Sequence, residues 1–268
     1  MSVDAVISEM MYHIALSAAD GARYCLLPGD PGRVPAIASC LEDARFVVQN
    51  REFITWAGTL AGERVLVTST GIGGPSAAIA MEELRRIGAD TFIRIGTAGG
   101  IREDVLAGDL AVASAAVRME GTSREYAPLE FPAVADFGLV QALCMAADSL
   151  GFRYHYGVVQ SKDSFYGQHS PEKSPVSYDL LNKWDSWKRL GVIASEMETA
   201  ALYTVASSLG VRCASILCVL WNQERKNLGF NEPDCLDTSH GIKTVVKALQ
   251  AVIEEDRRHP FTVRNSFQ

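Results

Sequence analysis

The sequence lacks the features that mark several large classes of protein. None of its apolar runs approaches the roughly 18 residues that a membrane-spanning helix requires. Its six cysteines are scattered without a CxxC pair, which is typical of reduced core thiols. Positive charge is not in excess, because 25 Lys and Arg face 32 Asp and Glu for a net charge of −7. A nucleic-acid surface needs clustered basic residues, so any anion site in this chain must be local.

Signs of targeting and of modular organisation are also absent. The first residues carry acids rather than a basic segment, so we expect no secretory signal and a cytoplasmic location. No fixed-period repeat, low-complexity tract or linker divides the chain. We therefore predict a single domain over 1–268, with 1–12 and 259–268 as flexible or interface tails. A content of 48% hydrophobic and 21% charged residues is typical of a globular protein without a membrane role.

Alternating strand-like and helix-like segments predict an α/β fold. Two strands close in sequence, 53–60 and 64–69, are separated by the short turn 61–63, which makes part of the sheet antiparallel. We therefore expect a three-layer α/β/α sandwich around a central mixed β-sheet. The predicted strands are 24–27, 53–60, 64–69, 91–96, 110–117, 156–160 and 212–220, and the predicted helices are 76–87, 138–150, 177–190, 198–209 and 238–255.

Arginines near strand ends are candidates for an anion site. The segment LPGDPGR at 27–33 follows the first strand and opens a helix, so backbone N–H groups and Arg33 can converge on one point. It has neither the Lys-Ser/Thr pair of a P-loop nor the GxGxxG spacing of a dinucleotide turn. Alone, it is equally a tight turn. Arg94 lies inside an apolar strand and needs either a carboxylate or an anionic ligand, with Thr97 close behind it. Arg51 starts another strand and is a third candidate, or an ordinary surface residue.

Two further segments suit a nucleoside. SEMETA at 195–200 marks a change from strand to helix, and its carboxylates could bind a sugar diol, although they could equally be a helix N-terminal turn. DSFYGQ at 163–168 places an aromatic ring and an amide together, which suits stacking and edge recognition of a planar base.

These segments together resemble uridine phosphorylases of the nucleoside phosphorylase I family. The motifs are PGDPGR at 28–33, STGIGGPS at 69–76, RIGT at 94–97, EFPAVAD at 130–136 and EME at 196–198. The resemblance runs in order from about His13 to the last helix, so chance similarity is excluded as an explanation. It implies the fold of that family and cleavage of uridine by inorganic phosphate to uracil and ribose 1-phosphate, in pyrimidine salvage. Deoxyuridine or thymidine are further expected substrates.

The resemblance also implies a homohexamer, a trimer of dimers whose active sites are shared between subunits. Inorganic phosphate is the co-substrate, no other cofactor is required, and a potassium ion is expected at the dimer interface. Neither nucleic acid nor a membrane is an expected partner. The implied residues are Gly29, Arg33, Arg51, Arg94 and Thr97 for phosphate; His13, Glu196, Met197 and Glu198 for ribose; Phe165, Gln168, Leu220, Trp221 and Arg225 for the base; and Glu52, Ile72 and Ser76 for potassium. Arg51 and His13 would come from the neighbouring subunit.

The sequence departs from the family pattern in the base pocket. Many members carry a Gln-x-Arg pair where this chain has Gln168 and Ser170, which makes Arg225 a candidate replacement donor. A subgroup shares FYGQHSPE at 165–172 and KWDSW at 183–187. Trp221 stands where relatives have a small residue and could narrow the base site.

Three alternatives remain open at the level of sequence. The purine-cleaving branch of the family has an Asp where this chain has Asn222, and an Asn cannot protonate a purine N7. A water-using nucleosidase would leave the arginines without an anion. A catalytically silent nucleoside-binding homologue would bind uridine without turnover.

Overall fold

The computed structural model describes residues 10–262. The predicted tails at 1–12 and 259–268 therefore lie largely outside the described residues. Of their described parts, the ring of Phe261 lies 4.2 Å from the Arg212 guanidinium. Among the described residues, no helix has both the length and the apolar character that a bilayer span needs.

Strands and helices alternate along the chain, as the sequence predicts. The strands are β1 Tyr24–Pro28, β2 Glu42–Asn50, β3 Phe53–Leu60, β4 Glu63–Thr68, β5 Thr91–Gly100, β6 Leu110–Met119, β7 Ala133–Val134, β8 Tyr154–Lys162, β9 Ala194–Glu196 and β10 Arg212–Asn222. The helices are α1 Val34–Ala38, α2 Gly74–Arg86, α3 Thr122–Tyr126, α4 Phe137–Leu150, α5 Phe165–His169, α6 Ser177–Arg189, α7 Thr199–Leu209, α8 Gln223–Asn227 and α9 Ser239–Arg258.

The strands form one mixed sheet that curls at one end. Its order is β10-β6-β8-β9-β5-β1-β4-β3-β2, and β10 pairs with β5 as well as with β6. The five strands β10, β6, β8, β9 and β5 therefore close into a ring, and β1, β4, β3 and β2 continue the sheet from β5. The pairs β1–β4, β1–β5 and β10–β5 are parallel, whereas β2–β3 and β3–β4 are antiparallel. The predicted mixed sheet is confirmed. The closure of five of its strands into a ring was not predicted from the sequence.

Apolar helix faces cover both sides of the sheet. One core cluster contains α2 and α7 residues such as Met81 and Leu202, and the other contains α4 and α9 residues such as Leu143 and Leu249. The two helix layers and the sheet between them confirm the predicted α/β class. Because β1, β5 and β10 run parallel, their carboxyl ends meet at one edge, where α/β sheets bind ligands.

The differences from the predicted elements have local causes. The turn between β3 and β4 has positive φ at both Ala61 (49°) and Gly62 (76°), which is the primed geometry that suits a twisted hairpin. Strand β2 was not predicted, because its charged sequence EDARFVVQN occupies an exposed edge and lacks a clean apolar alternation. Strand β9 is only 3 residues long and is too short to show a period.

Candidate active site

A cavity of about 590 Å³ lies at the carboxyl ends of β1, β5, β8 and β10. A cavity of this volume can hold a nucleoside-sized molecule. Most of the residues predicted for phosphate, ribose and base line it: Gly29, Arg33, Arg94, Thr97, Phe165, Gln168, Glu196, Met197, Glu198, Leu220 and Trp221. The fold therefore brings into one space segments as far apart in the sequence as Gly29 and Trp221.

Two arginines face the same end of this cavity with unused donors. Arg33 ends a 3₁₀ turn at Pro31–Arg33, whose N-cap Asp30 accepts a hydrogen bond of 2.8 Å from the Gly32 amide. The Nη1 atoms of Arg33 and Arg94 are both buried, and neither has a hydrogen-bond partner among residues 10–262. A buried guanidinium nitrogen without a partner is costly, so this pair points to an anion between them.

The backbone beside these arginines leaves room for that anion. A Cβ placed on Gly29 would lie 3.3 Å from the Gly71 carbonyl oxygen and 3.7 Å from Arg94 Nη1. A side chain at Gly29 would therefore intrude on the space in front of the guanidinium. Gly71 has φ of 70°, a conformation that favours glycine and holds the second loop close to the first.

Arg94 uses its remaining nitrogens to hold two buried carboxylates. Its Nε donates to Glu196 Oε2 at 3.1 Å, and its Nη2 donates to Glu198 Oε2. The sequence left open whether Arg94 pairs with a carboxylate or binds an anionic ligand. The structure shows the carboxylate partners, and Nη1 remains available for a ligand. These two ion pairs fix the direction of the guanidinium.

Glu196, the last residue of β9, and Glu198, the residue before α7, make different contacts. Glu196 accepts hydrogen bonds from Ser161 Oγ and from the Glu198 and Thr199 amides, in addition to Arg94. These contacts position Arg94 and the start of α7, and Glu196 also lines the cavity, so its binding of ribose stays a prediction.

Glu198 and Met197 keep positions that suit a sugar. Glu198 Oε1 accepts the Gly73 amide at 2.6 Å, and Met197 lines the cavity. Burial raises the pKa of Glu198, and the nearby Arg94 opposes that change. A carboxylate at this depth can accept hydrogen bonds from ribose hydroxyls.

The predicted base site surrounds the short helix α5. Phe165 and His169 have ring centroids 4.2 Å apart, and the His169 and Trp221 centroids are 5.7 Å apart. Trp221 follows an irregularity in the β10–β5 pairing that includes Leu220. Gln168 Oε1 accepts a hydrogen bond of 2.6 Å from Ser195 Oγ. These side chains form an aromatic wall with one polar edge, which suits a planar base.

Lys162 was missed by the sequence reasoning and lines the same cavity. It is the last residue of β8, two residues beyond the predicted end of that strand at 160. The side chain is buried, and its Nζ donates to Ser195 Oγ at 2.7 Å. Burial lowers the pKa of Lys162 to about 8. The signal in the sequence was a lysine directly after an apolar strand, beside DSFYGQ.

Arg225, predicted as a base donor, is not among the residues that line the cavity. Its Nε donates to Glu232 Oε2 at 2.7 Å, and its Nη1 donates to the Glu103 carbonyl at 2.9 Å. Its guanidinium also lies 4.3 Å from the Phe230 ring. These partners hold Arg225 on the far side of Trp221.

His13 and Arg51 also lie outside the cavity of their own chain. His13 Nδ1 lies 2.6 Å from Glu83 Oε1, and Arg51 is exposed with φ of 54°. Of the predicted potassium ligands, Glu52 and Ile72 line the cavity, and Ser76 Oγ donates to Glu52 Oε1 at 2.8 Å.

Comparisons with known proteins show the family to which the chain belongs. The family model described as "Phosphorylase superfamily" matches residues 23–253. A uridine phosphorylase of Treponema pallidum (strain Nichols) is 48% identical over 93% of this chain and 96% of its own length. A uridine phosphorylase of Thermococcus kodakarensis is 49% identical over 82% of this chain and 80% of its own. That of Escherichia coli (strain K12) is 40% identical over 91% and 98%. The chain belongs to the phosphorylase superfamily.

Proposed function

We propose that this protein cleaves uridine with inorganic phosphate to give uracil and ribose 1-phosphate, as an enzyme of pyrimidine nucleoside salvage in the cytoplasm. The observation that carries the proposal is the pair of buried, unpartnered Nη1 atoms of Arg33 and Arg94 in a cavity that also holds Glu198 and Phe165. An anion, a sugar and a planar base can thus be held side by side. The names of the relatives support uridine as the nucleoside.

The geometry suits a reaction in which binding and orientation supply most of the rate. The C1'–N1 bond loosens first and its electron pair leaves with the base, so that the sugar gains oxocarbenium character. Phosphate, held by Arg33 and Arg94, attacks C1' from the opposite face, and its charge stabilises the developing cation. Glu198 and Met197 hold the sugar in place. Overall, the proton lost by HPO₄²⁻ ends on uracil, and no covalent enzyme intermediate forms.

The buried position of Asn222 favours pyrimidine over purine nucleosides. Its Nδ2 donates to the Arg102 and Val105 carbonyl oxygens, both at 2.8 Å, and its Oδ1 accepts the Arg225 amide. All of these contacts are structural, so Asn222 has no group left to act on a purine N7. Deoxyuridine and thymidine remain candidate substrates within this proposal.

The proposed assembly is a homohexamer, built as a trimer of dimers, in which each site is completed by a neighbour. Its support is that Arg51 and His13 lie outside their own cavity, so only a second copy could bring them to one. Mixing Arg51→Ala and Arg33→Met subunits tests this, because mixed dimers would regain one intact site. Recovered activity is expected, whereas a monomer by light scattering would refute the shared site.

The proposed potassium site is the cluster of oxygen donors at Glu52, Ile72 and Ser76. A hydrogen bond to its own backbone and one from Ser76 lower the pKa of Glu52, so it is ionised at neutral pH. Carboxylate, carbonyl and hydroxyl oxygens are suitable ligands for a hard cation. Bound potassium would connect the β2–β3 turn to the start of α2, close to the turn at 29–33 that contains Gly29 and Arg33.

The test of the proposed function is base release from a panel of nucleosides. Uridine, deoxyuridine, thymidine and inosine are each incubated with the protein, with and without inorganic phosphate. Uracil release from uridine only in the presence of phosphate is expected. Inosine cleavage alone would show that Trp221 has changed the base preference, and uridine binding without turnover would identify a silent homologue.

A further inference from the structure

The base end of the cavity contains a buried ammonium group without a carboxylate partner. Lys162 is 4% exposed, and among residues 10–262 no carboxylate oxygen lies within 4.0 Å of its Nζ. Within the described residues, the Lys162 Nζ donates one hydrogen bond, to Ser195 Oγ. An ammonium group has three N–H donors, so the others are left for a ligand. A buried charge in this state indicates an anionic or strongly polar partner.

The surroundings of Lys162 place that partner at the base rather than at phosphate. Its Nζ lies 6.0 Å from the centre of the Phe165 ring. Ser195 Oγ, which accepts from Lys162, is also 2.6 Å from Gln168 Oε1. The two predicted base-binding side chains therefore flank the ammonium group. The phosphate donors belong to other segments, Arg33 to the turn after β1 and Arg94 to β5, and Arg94 is already paired with Glu196 and Glu198.

Lys162 is the cation available to the base site within the described residues. Arg225, the other candidate, is held by Glu232 outside the cavity. Lys226 Nζ lies 5.9 Å from the Trp221 ring, but it is bonded to Asp234 at the surface. The charged groups that act on Lys162 are Glu196 and Glu198, and His169 faces it from α5.

We propose that Lys162 is a catalytic residue of the uridine reaction, whose ammonium group binds a carbonyl oxygen of uracil and stabilises the base as it leaves. This rests on the proposed function. When the C1'–N1 bond breaks, the electron pair spreads over N1 and the carbonyl oxygens of the base. A fixed positive charge at one of these oxygens interacts more strongly with the departing anion than with neutral uridine, and therefore lowers the barrier. Lys162 keeps its own proton throughout.

The test compares leaving groups of different quality. Lys162→Met removes the charge with little change of volume, and Lys162→Gln removes it while keeping a donor to Ser195. Lys162→Arg retains the charge. Lys183→Met is the matched control, because Lys183 is an exposed lysine of α6 paired with Asp179 and lines neither the cavity nor its rim. Each protein is assayed with uridine and with 5-fluorouridine, whose fluorine itself stabilises the departing base. Thermal unfolding shows which variants are folded.

Lys162→Met and Lys162→Gln are expected to lower kcat for uridine by about 100-fold, as removal of one preorganised donor does. The loss should be several-fold smaller with 5-fluorouridine, and the KM for phosphate should stay unchanged. Lys162→Arg should recover part of the rate, and Lys183→Met should match the parent protein.

An equal loss with both nucleosides, a raised KM for phosphate at unchanged kcat, or no loss in a folded variant would each overturn the role of Lys162. The two proposals fail differently. If the parent protein releases no uracil with phosphate, the proposed function fails and takes this role with it. If the parent is active and the folded variants are unaffected, only this role fails.

Discussion

Replacing Arg33 by methionine should weaken phosphate binding and leave the fold intact. Among the described residues, Arg33 forms one ion pair, in which Asp30 Oδ2 lies 3.5 Å from its Nε, and the Asp30 side chain is 53% exposed. A pair of this kind contributes at most about 1 kcal/mol to stability. The Nη1 atom has no hydrogen-bond partner within the described part of the chain, so its removal takes away a buried donor and no contact seen there.

The effect on phosphate follows from the hydrogen bonds that Nη1 would make. A hydrogen bond to a charged group contributes about 1.5 to 3 kcal/mol. Since 1.4 kcal/mol corresponds to a factor of ten, the KM for phosphate should rise about 10- to 150-fold. The KM for uridine should change little, because the proposed ligand of Arg33 is phosphate and not the nucleoside.

The assay is initial-rate uracil release at saturating uridine over a range of phosphate concentrations, together with thermal unfolding with and without phosphate. Arg189→Met is the matched control, because Arg189 is 80% exposed and pairs with Asp185 at the surface. The reasoning is refuted if Arg33→Met raises the KM for uridine and not for phosphate, or if phosphate stabilises the variant as much as it stabilises the parent.

Three other perturbations test neighbouring parts of the account. Arg94→Met should destabilise the protein by about 3 to 5 kcal/mol in urea unfolding, because two buried carboxylates lose their counter-charge; unchanged stability would show that they do not depend on Arg94. The rate of uridine cleavage should fall as pH rises through about 8, since the lowered pKa of Lys162 means that its ammonium form is present below that value and lost above it. Lys162→Arg should shift that decline to higher pH, and a decline unchanged in this variant would assign it to another group. Arg225→Ala should leave the KM for uridine within about twofold of the parent, because its guanidinium is held by Glu232; a tenfold rise would place it in the site after all.

The framework of the fold could be predicted from the sequence because buried strands carry a strong local signal. Each predicted strand was found within a few residues of its observed bounds, and the short turn before Glu63 correctly indicated an antiparallel pair. The closure of the sheet could not be predicted, because pairing of β10 with both β5 and β6 depends on contacts distant in sequence. The exposed strand β2 gave no apolar pattern.

Site residues could be predicted from the sequence where the neighbouring residues alone determine their surroundings. Arg33 follows a strand in a Gly-rich turn, and Glu198 precedes a helix, so their neighbourhoods could be inferred. The occupation of Glu196 by Ser161 and Arg94, and of Arg225 by Glu232, depends on side-chain contacts that no local pattern shows. Lys162 was missed because its strand was ended two residues early, which hid that the lysine continues the buried strand.

The central claim is that phosphate, and not water, is the nucleophile that replaces uracil at C1' of uridine. It is tested most directly by incubating the protein with uridine and inorganic phosphate, following the conversion of phosphate to ribose 1-phosphate by ³¹P NMR, and measuring uracil in the same sample. The account predicts ribose 1-phosphate and uracil in equal amounts, with no uracil when phosphate is omitted. Uracil formed together with free ribose, at a rate independent of phosphate, would contradict it.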